Sequence, residues 1–165
     1  MIMNAYVIVL RILHIGGGVF WAGALFLVLW FILPTSRAVG PAAGPFMGHL
    51  VGAARLPQIT VGVGLVTILS GALLYWHDFG SIIPSNAWMA GVAVGAVAAI
   101  ILWIVGTFRF APLNKRLGAL GARAAQGEDV GAEIGRVTAT RDRLVPWMST
   151  LVVVAVGAMA VARYL

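Results

Sequence analysis

Seven residues in or beside the apolar runs of this chain carry polar or ionisable side chains: Arg11, His14, His49, Arg55, Gln58, His77 and Asp78. Ionisable groups are costly in hydrocarbon, so within an apolar run they pair, face an interior or mark a functional site. His14 is the most informative. It heads a charge-free stretch, Ile15 to Leu33, and is followed directly by Gly16, Gly17 and Gly18. A helix with glycine there has a flat face, so a bulky planar group can lie against Gly17 and Gly18 beside the imidazole. Neutral imidazole is a common ligand of iron and copper.

His77 closes the second apolar run. It lies 19 residues from Gln58, and His14 lies 19 residues from Leu33 at the same end of the first run. Counted from those ends, two antiparallel helices bring the imidazoles to one depth. That is the arrangement of bis-histidine haem b, with His14 and His77 as the metal ligands. Arg11, three residues before His14, shares nearly its face and lies nearer water, where a cation pairs with a haem propionate. Asp78 either orients His77 or stays solvated, and His49 belongs to a connection at the opposite end. Neighbouring helices pack about 8–10 Å apart, which is tight for a haem between axial histidines. The arrangement therefore requires the first two helices to be diagonal or splayed.

Copper is the alternative, because thioether sulfur suits Cu(I). The methionines are scattered, however, at Met1, Met3, Met47, Met89, Met148 and Met159, and only Met47 lies near a histidine, His49. Cysteine is absent, which removes disulfides, thiolate metal sites and thiol nucleophiles. The sequence has no phosphate-binding loop, no nucleophile elbow and no HExxH motif.

The elements that must position these residues are membrane helices. Of 165 residues, 61% are hydrophobic and 10% charged, against about 25% charged in an ordinary soluble domain. A membrane helix needs roughly 20 mostly apolar residues. Four stretches qualify, at about 5–33, 56–76, 86–108 and 144–161, which predicts a single all-α membrane domain, a four-helix bundle. Pro34, Thr35, Ser36 and Arg37 end the first. A Gly-, Pro- and Ala-rich connection follows it, and Pro146 sits in the first turn of the fourth. Arg11 inside the first apolar run and the lack of a basic start argue against a cleavable leader. The only polar stretch, 109–143, carries seven basic and four acidic residues. It is expected to extend helices 3 and 4 as a hairpin that turns near Gln126, Gly127, Glu128 and Asp129.

Basic residues in loops set orientation. Arg37 and Arg55 mark the first connection and the basic hairpin marks the third, whereas the middle one has Asp78 and no Lys or Arg. The hairpin is thus expected in the cytoplasm and both termini outside. Tyr75, Trp76, Trp88 and Tyr164 then belong to the outer interface, and Trp30, Trp103 and Trp147 to the inner one. The net charge of +6 follows this topology and does not indicate nucleic acid. Gly91 and Gly95, Gly62 and Gly64, and the glycines of the first helix predict close helix approach.

The stretch RILHIGGGVFWAGALFLVLWFILPTSR resembles the first helix of a group of small bacterial membrane proteins. The group includes the membrane domain of the copper-resistance protein CopD and the HemJ-type protoporphyrinogen oxidases. Leu13-His14, Trp21, Ala22-Gly23 and Pro34 carry the resemblance, which is good over the first helix and loose over the four-helix layout. It implies a histidine on helix 1, at His14, that binds haem b or a metal near the outer side of a bacterial inner membrane. Members of both named groups tend to have a lysine soon after the tryptophan that opens helix 3. Here Trp88 is followed by Met89, Ala90 and Gly91, and the helix has no lysine, which argues against protoporphyrinogen oxidation. The leading expectation is a haem b protein of electron transfer or redox chemistry, with a quinone or another membrane protein as electron partner. A cofactor-free accessory or structural subunit of a membrane complex is the second and copper handling or transport the third; for partners, a homo-oligomer or a place in a larger complex is open.

Overall fold

The structure, a computed structural model, describes residues 5–80, 83–84 and 86–165, with the side chain of Pro41 excepted. Its regular secondary structure among the described residues is all helical, with seven α-helices: α1 (Ala5–Leu27), α2 (Leu33–Val39), α3 (Gly44–Val51), α4 (Leu56–Phe79), α5 (Ala87–Val105), α6 (Ala111–Ala125) and α7 (Gly131–Val161). α1 runs into α2 and α5 into α6 without a break. The result is four continuous rods, Ala5–Val39, Leu56–Phe79, Ala87–Ala125 and Gly131–Tyr164, each long and apolar enough to cross a membrane. The chain is a multi-pass membrane protein.

The joins are π turns. Leu33 N–H donates to the Val28 carbonyl and Ala111 N–H to the Gly106 carbonyl, each five residues back. Each turn stands just before a proline, Pro34 or Pro112. Proline has no N–H and its ring collides with the carbonyl four residues earlier. Widening the helix by one residue per turn relieves that collision, so Pro34 does not end the first helix as its type suggests. Pro146 likewise lies inside α7 rather than in a first turn, because α7 already begins at Gly131.

α1 packs most extensively on α4, and α5 on α7. α4 also touches α5, and α1 touches α7, so the rods follow one another round a ring in the order α1, α4, α5, α7. The buried core includes Trp21, Leu29, Leu33, Ala98, Ala99, Leu102, Phe110, Met148, Val152 and Ala155. Val19, Ile12, Ile15, Leu69, Val94 and Val97 point outward and are exposed, as lipid-facing side chains are. Contact is closest where glycine stands: a Cβ on Gly95 would lie 3.0 Å from the Ala155 carbonyl oxygen.

The polar stretch forms the expected hairpin. α6 and α7 close on a small seam of Leu120, Val130 and Val137, and Gly127, at φ +88°, supplies the left-handed turn. Arg116 pairs with Glu133, and Arg123 with Glu128. The hydrogen bond from Arg116 holds the Glu133 carboxyl below its ordinary 4.5. A carboxyl depressed in the folded state contributes stability above its unfolded pKa and loses it as pH falls through the lower folded value. Amide exchange across 117–134, corrected for intrinsic rate, is therefore expected to show constant protection above pH 4.5 and progressive opening below. Glu133→Gln should abolish that dependence.

Candidate functional site

The α1–α4 seam holds the intramembrane histidine. On α4, Gly64, Thr67, Ser70 and Leu74 are buried at spacings of three and four residues, one face of a helix. On α1, Leu10 and Trp21 are buried and His14, Gly17 and Gly18 are half-buried between them. The two faces run antiparallel in a definite register. A Cβ on Gly64 would lie 2.7 Å from Trp21 Nε1, one on Gly17 2.5 Å from Thr67 Oγ1, and one on Gly71 2.5 Å from His14 Cε1. The glycines of each helix receive the bulky side chains of the other.

His14 Nδ1 lies 2.8 Å from the carbonyl oxygen of Thr67. A carbonyl only accepts, so Nδ1 carries the proton and donates, which in the neutral form of the ring leaves the lone pair on Nε2. That nitrogen has no hydrogen-bond partner among the described residues. The Thr67 carbonyl also accepts from Ser70 Oγ at 3.1 Å. Thr67 turns its own hydroxyl to Val63 O at 2.9 Å, and Ser70 Oγ also donates to Val66 O at 2.6 Å. The polar atoms round the imidazole are thus satisfied by backbone and leave Nε2 bare. A fixed Nδ1–H and an open Nε2 are how a metal-ligating histidine is held.

The other expected residues fall elsewhere. His77 is six residues beyond Gly71, about 9 Å further along the helix at 1.5 Å per residue. It is exposed, with Nδ1 2.9 Å from Asp78 Oδ1. Arg11 reaches the same end, its guanidinium 3.9 Å from Asp78 Oδ2. The expectation that His14 and His77 share one depth is not met, for a definite reason. The first helix passes Leu33 and continues to Val39, and α3 climbs back before α4 begins, so Leu33 and Gln58 are not level. Gly17 and Gly18 likewise face Thr67 of α4 rather than an open slot. Because α1 and α4 are direct neighbours, a haem held between these two histidines does not fit; a group ligated by His14 Nε2 alone keeps its ligand atom.

His49 is exposed on α3 at the hairpin end. No group of three or more His, Asp or Glu side chains gathers for a metal ion among the described residues. Sequence reasoning missed Thr67, Ser70 and Gly71, although their three- and four-residue spacing with Gly64 and Leu74 marks one helix face. It also missed a charged cluster in which Arg37 of α2 and the buried Arg141 both contact Asp142 Oδ1, at 2.7 and 2.9 Å. No protein-family model, curated protein or solved structure matches the chain.

Proposed function

We propose that the chain is a redox protein of the membrane that binds haem b through a single protein ligand, His14 Nε2. The observation that carries this reading is the Nδ1–H donation to the Thr67 carbonyl, which fixes the tautomer and leaves the ligating lone pair free. The neighbouring hydroxyls of Thr67 and Ser70 are engaged by backbone carbonyls, so His14 offers one donor atom. A bare copper ion needs several such donors, whereas haem iron arrives with its own ring of nitrogens and needs only an axial one. The resemblance of the first helix to the CopD and HemJ-type proteins points the same way.

Bound there, haem b would supply a one-electron iron couple. The chain's part is to hold the ring of His14 against Gly71, to keep its proton on Nδ1, and to exclude water with Leu10 and Leu74. Arg11, 60% exposed at its side chain and 3.9 Å from Asp78, lies one turn nearer the terminal end and would be the cation to meet a propionate. The test is the visible spectrum of detergent-purified protein made with ample haem, oxidised and then reduced with dithionite. A Soret band with sharpened α and β bands supports the reading. A colourless protein that co-purifies with membrane partners overturns it in favour of an accessory subunit.

The proposal includes orientation, with the basic hairpin in the cytoplasm of a bacterium and the His14 half of the bundle outside, on the loop charges. The chain has no cysteine, so single replacements report cleanly. On intact cells, Pro84→Cys is expected to react with a membrane-impermeant maleimide, and Ala125→Cys only after permeabilisation. The reverse pattern would invert the topology.

A further inference from the structure

The charges at the hairpin end are neutralised unevenly. Near the hairpin's tip two arginines meet two acids, Arg116 with Glu133 and Arg123 with Glu128. At its base two arginines meet one. Arg37 Nη2 lies 2.7 Å from Asp142 Oδ1, and Arg141 directs both Nε and Nη2 to that same oxygen, at 3.0 and 2.9 Å. No other carboxylate lies within ion-pair distance of either guanidinium among the described residues. The cluster joins α2 to α7 and keeps an excess positive charge.

Burial makes that excess costly. Arg141 is the one charged residue among the buried ones described, its side chain 9% exposed. Buried charges are ordinarily paired, and a buried charge left without full compensation is strongly destabilising. Arg141 Nη1 has no hydrogen-bond partner among the described residues and is not sealed from solvent. Arg37 beside it is exposed. Because both guanidinium groups touch the same oxygen atom, they are close enough for one phosphate to bridge. The planar fork of arginine matches phosphate oxygens, and such charge-assisted bonds are about twice as strong as neutral ones.

The depth of the cluster favours a lipid as the source of that phosphate. Six residues deeper on each rod, about 9 Å along the axis, stand Phe31 and Trp147, both exposed. The two arginines therefore sit where the apolar surface of the rods gives way to the polar hairpin. Basic pockets between membrane helices at such a boundary bind anionic lipid headgroups. We propose that Arg37 and Arg141 hold the headgroup phosphate of an anionic phospholipid in the seam between the first and fourth rods. The inference makes no use of His14, so it and the haem reading can fail separately.

The test is native mass spectrometry of the protein released from a neutral detergent. Dioleoyl phosphatidylglycerol is titrated in, and dioleoyl phosphatidylcholine, whose choline offsets the phosphate, in parallel. One phosphatidylglycerol is expected to be retained at about five- to tenfold lower concentration than phosphatidylcholine. Arg37→Gln should weaken that retention about tenfold or more, the loss of one charge-assisted hydrogen bond. Arg123→Gln removes the same charge near the hairpin's tip and should leave retention unchanged. Arg141→Lys keeps the charge without the fork and should also weaken it; should that variant fail to fold, Arg37→Gln decides. Equal retention of the two lipids, or equal losses in Arg37→Gln and Arg123→Gln, would overturn the proposal in favour of diffuse attraction to a basic surface. Displacement of the lipid by millimolar inorganic phosphate would also overturn it and mark the cluster as a seat for the free anion.

Discussion

His14→Ala is expected to purify as folded, colourless protein, while His77→Ala keeps the Soret band of the parent. The two histidines are equal as residue types and opposite in setting. His14 is half-buried in the α1–α4 seam with its Nδ1 proton committed to the Thr67 carbonyl. His77 is exposed and faces Asp78. On the haem reading proposed above, His14 would be the single protein ligand, so the expected loss is complete rather than partial. Free imidazole added to His14→Ala should restore part of the band, because the mutation leaves an imidazole-sized space against Gly71. Gly71→Ala should weaken haem retention about 10- to 100-fold, the usual effect of disturbing what holds a ligating histidine. Its new methyl would sit 2.5 Å from His14 Cε1 and push the ring off the carbonyl. Loss of the band in His77→Ala with retention in His14→Ala would overturn the assignment.

The second large effect concerns the bundle itself. Gly64→Ala is expected to destabilise the protein by about 1–3 kcal/mol, the cost of overpacking a filled interior. The added methyl would lie 2.7 Å from Trp21 Nε1 and 2.9 Å from Trp103 Cδ1. Neither ring can yield easily. Trp103 is pinned by its hydrogen bond to Val61 O, and Trp21 is buried. Gly16→Ala and Gly23→Ala are the controls, since a Cβ at either meets nothing within 4 Å. They are expected to be neutral or stabilising by up to about 1 kcal/mol, the intrinsic helix preference of alanine over glycine. Thermal unfolding in one detergent, followed by helical circular dichroism, separates the three. Equal midpoints for Gly64→Ala and Gly16→Ala would show that the seam is loose.

The glycines also show why part of the site was legible in the sequence and part was not. Gly17 and Gly18 beside His14 announced that something bulky lies against that helix. They did not say what, and the occupant is Thr67 of α4. The imidazole in turn occupies the space above Gly71. An apolar pocket at the hairpin end is walled by residues from α1, α3, α4, α5, α6 and α7 together, so no single segment announces it.

The sequence by itself determined that this is a membrane protein, how many helices cross, and where the polar hairpin turns. Those properties follow from the length of apolar runs and from local breakers such as Gly127, which act within one segment. Only the tertiary structure decided which helices are neighbours, at what depth each histidine lies, and which face of each rod turns inward. In water the inward face is the apolar one. In lipid the outward face is apolar too, so hydrophobicity does not distinguish them. The choice falls to steric fit between rods, Trp21 against Gly64 and His14 against Gly71. The depth of the histidines falls to the overshoot of the first helix to Val39 and the return through α3. Both are relations between segments, and no spacing within a single segment encodes them.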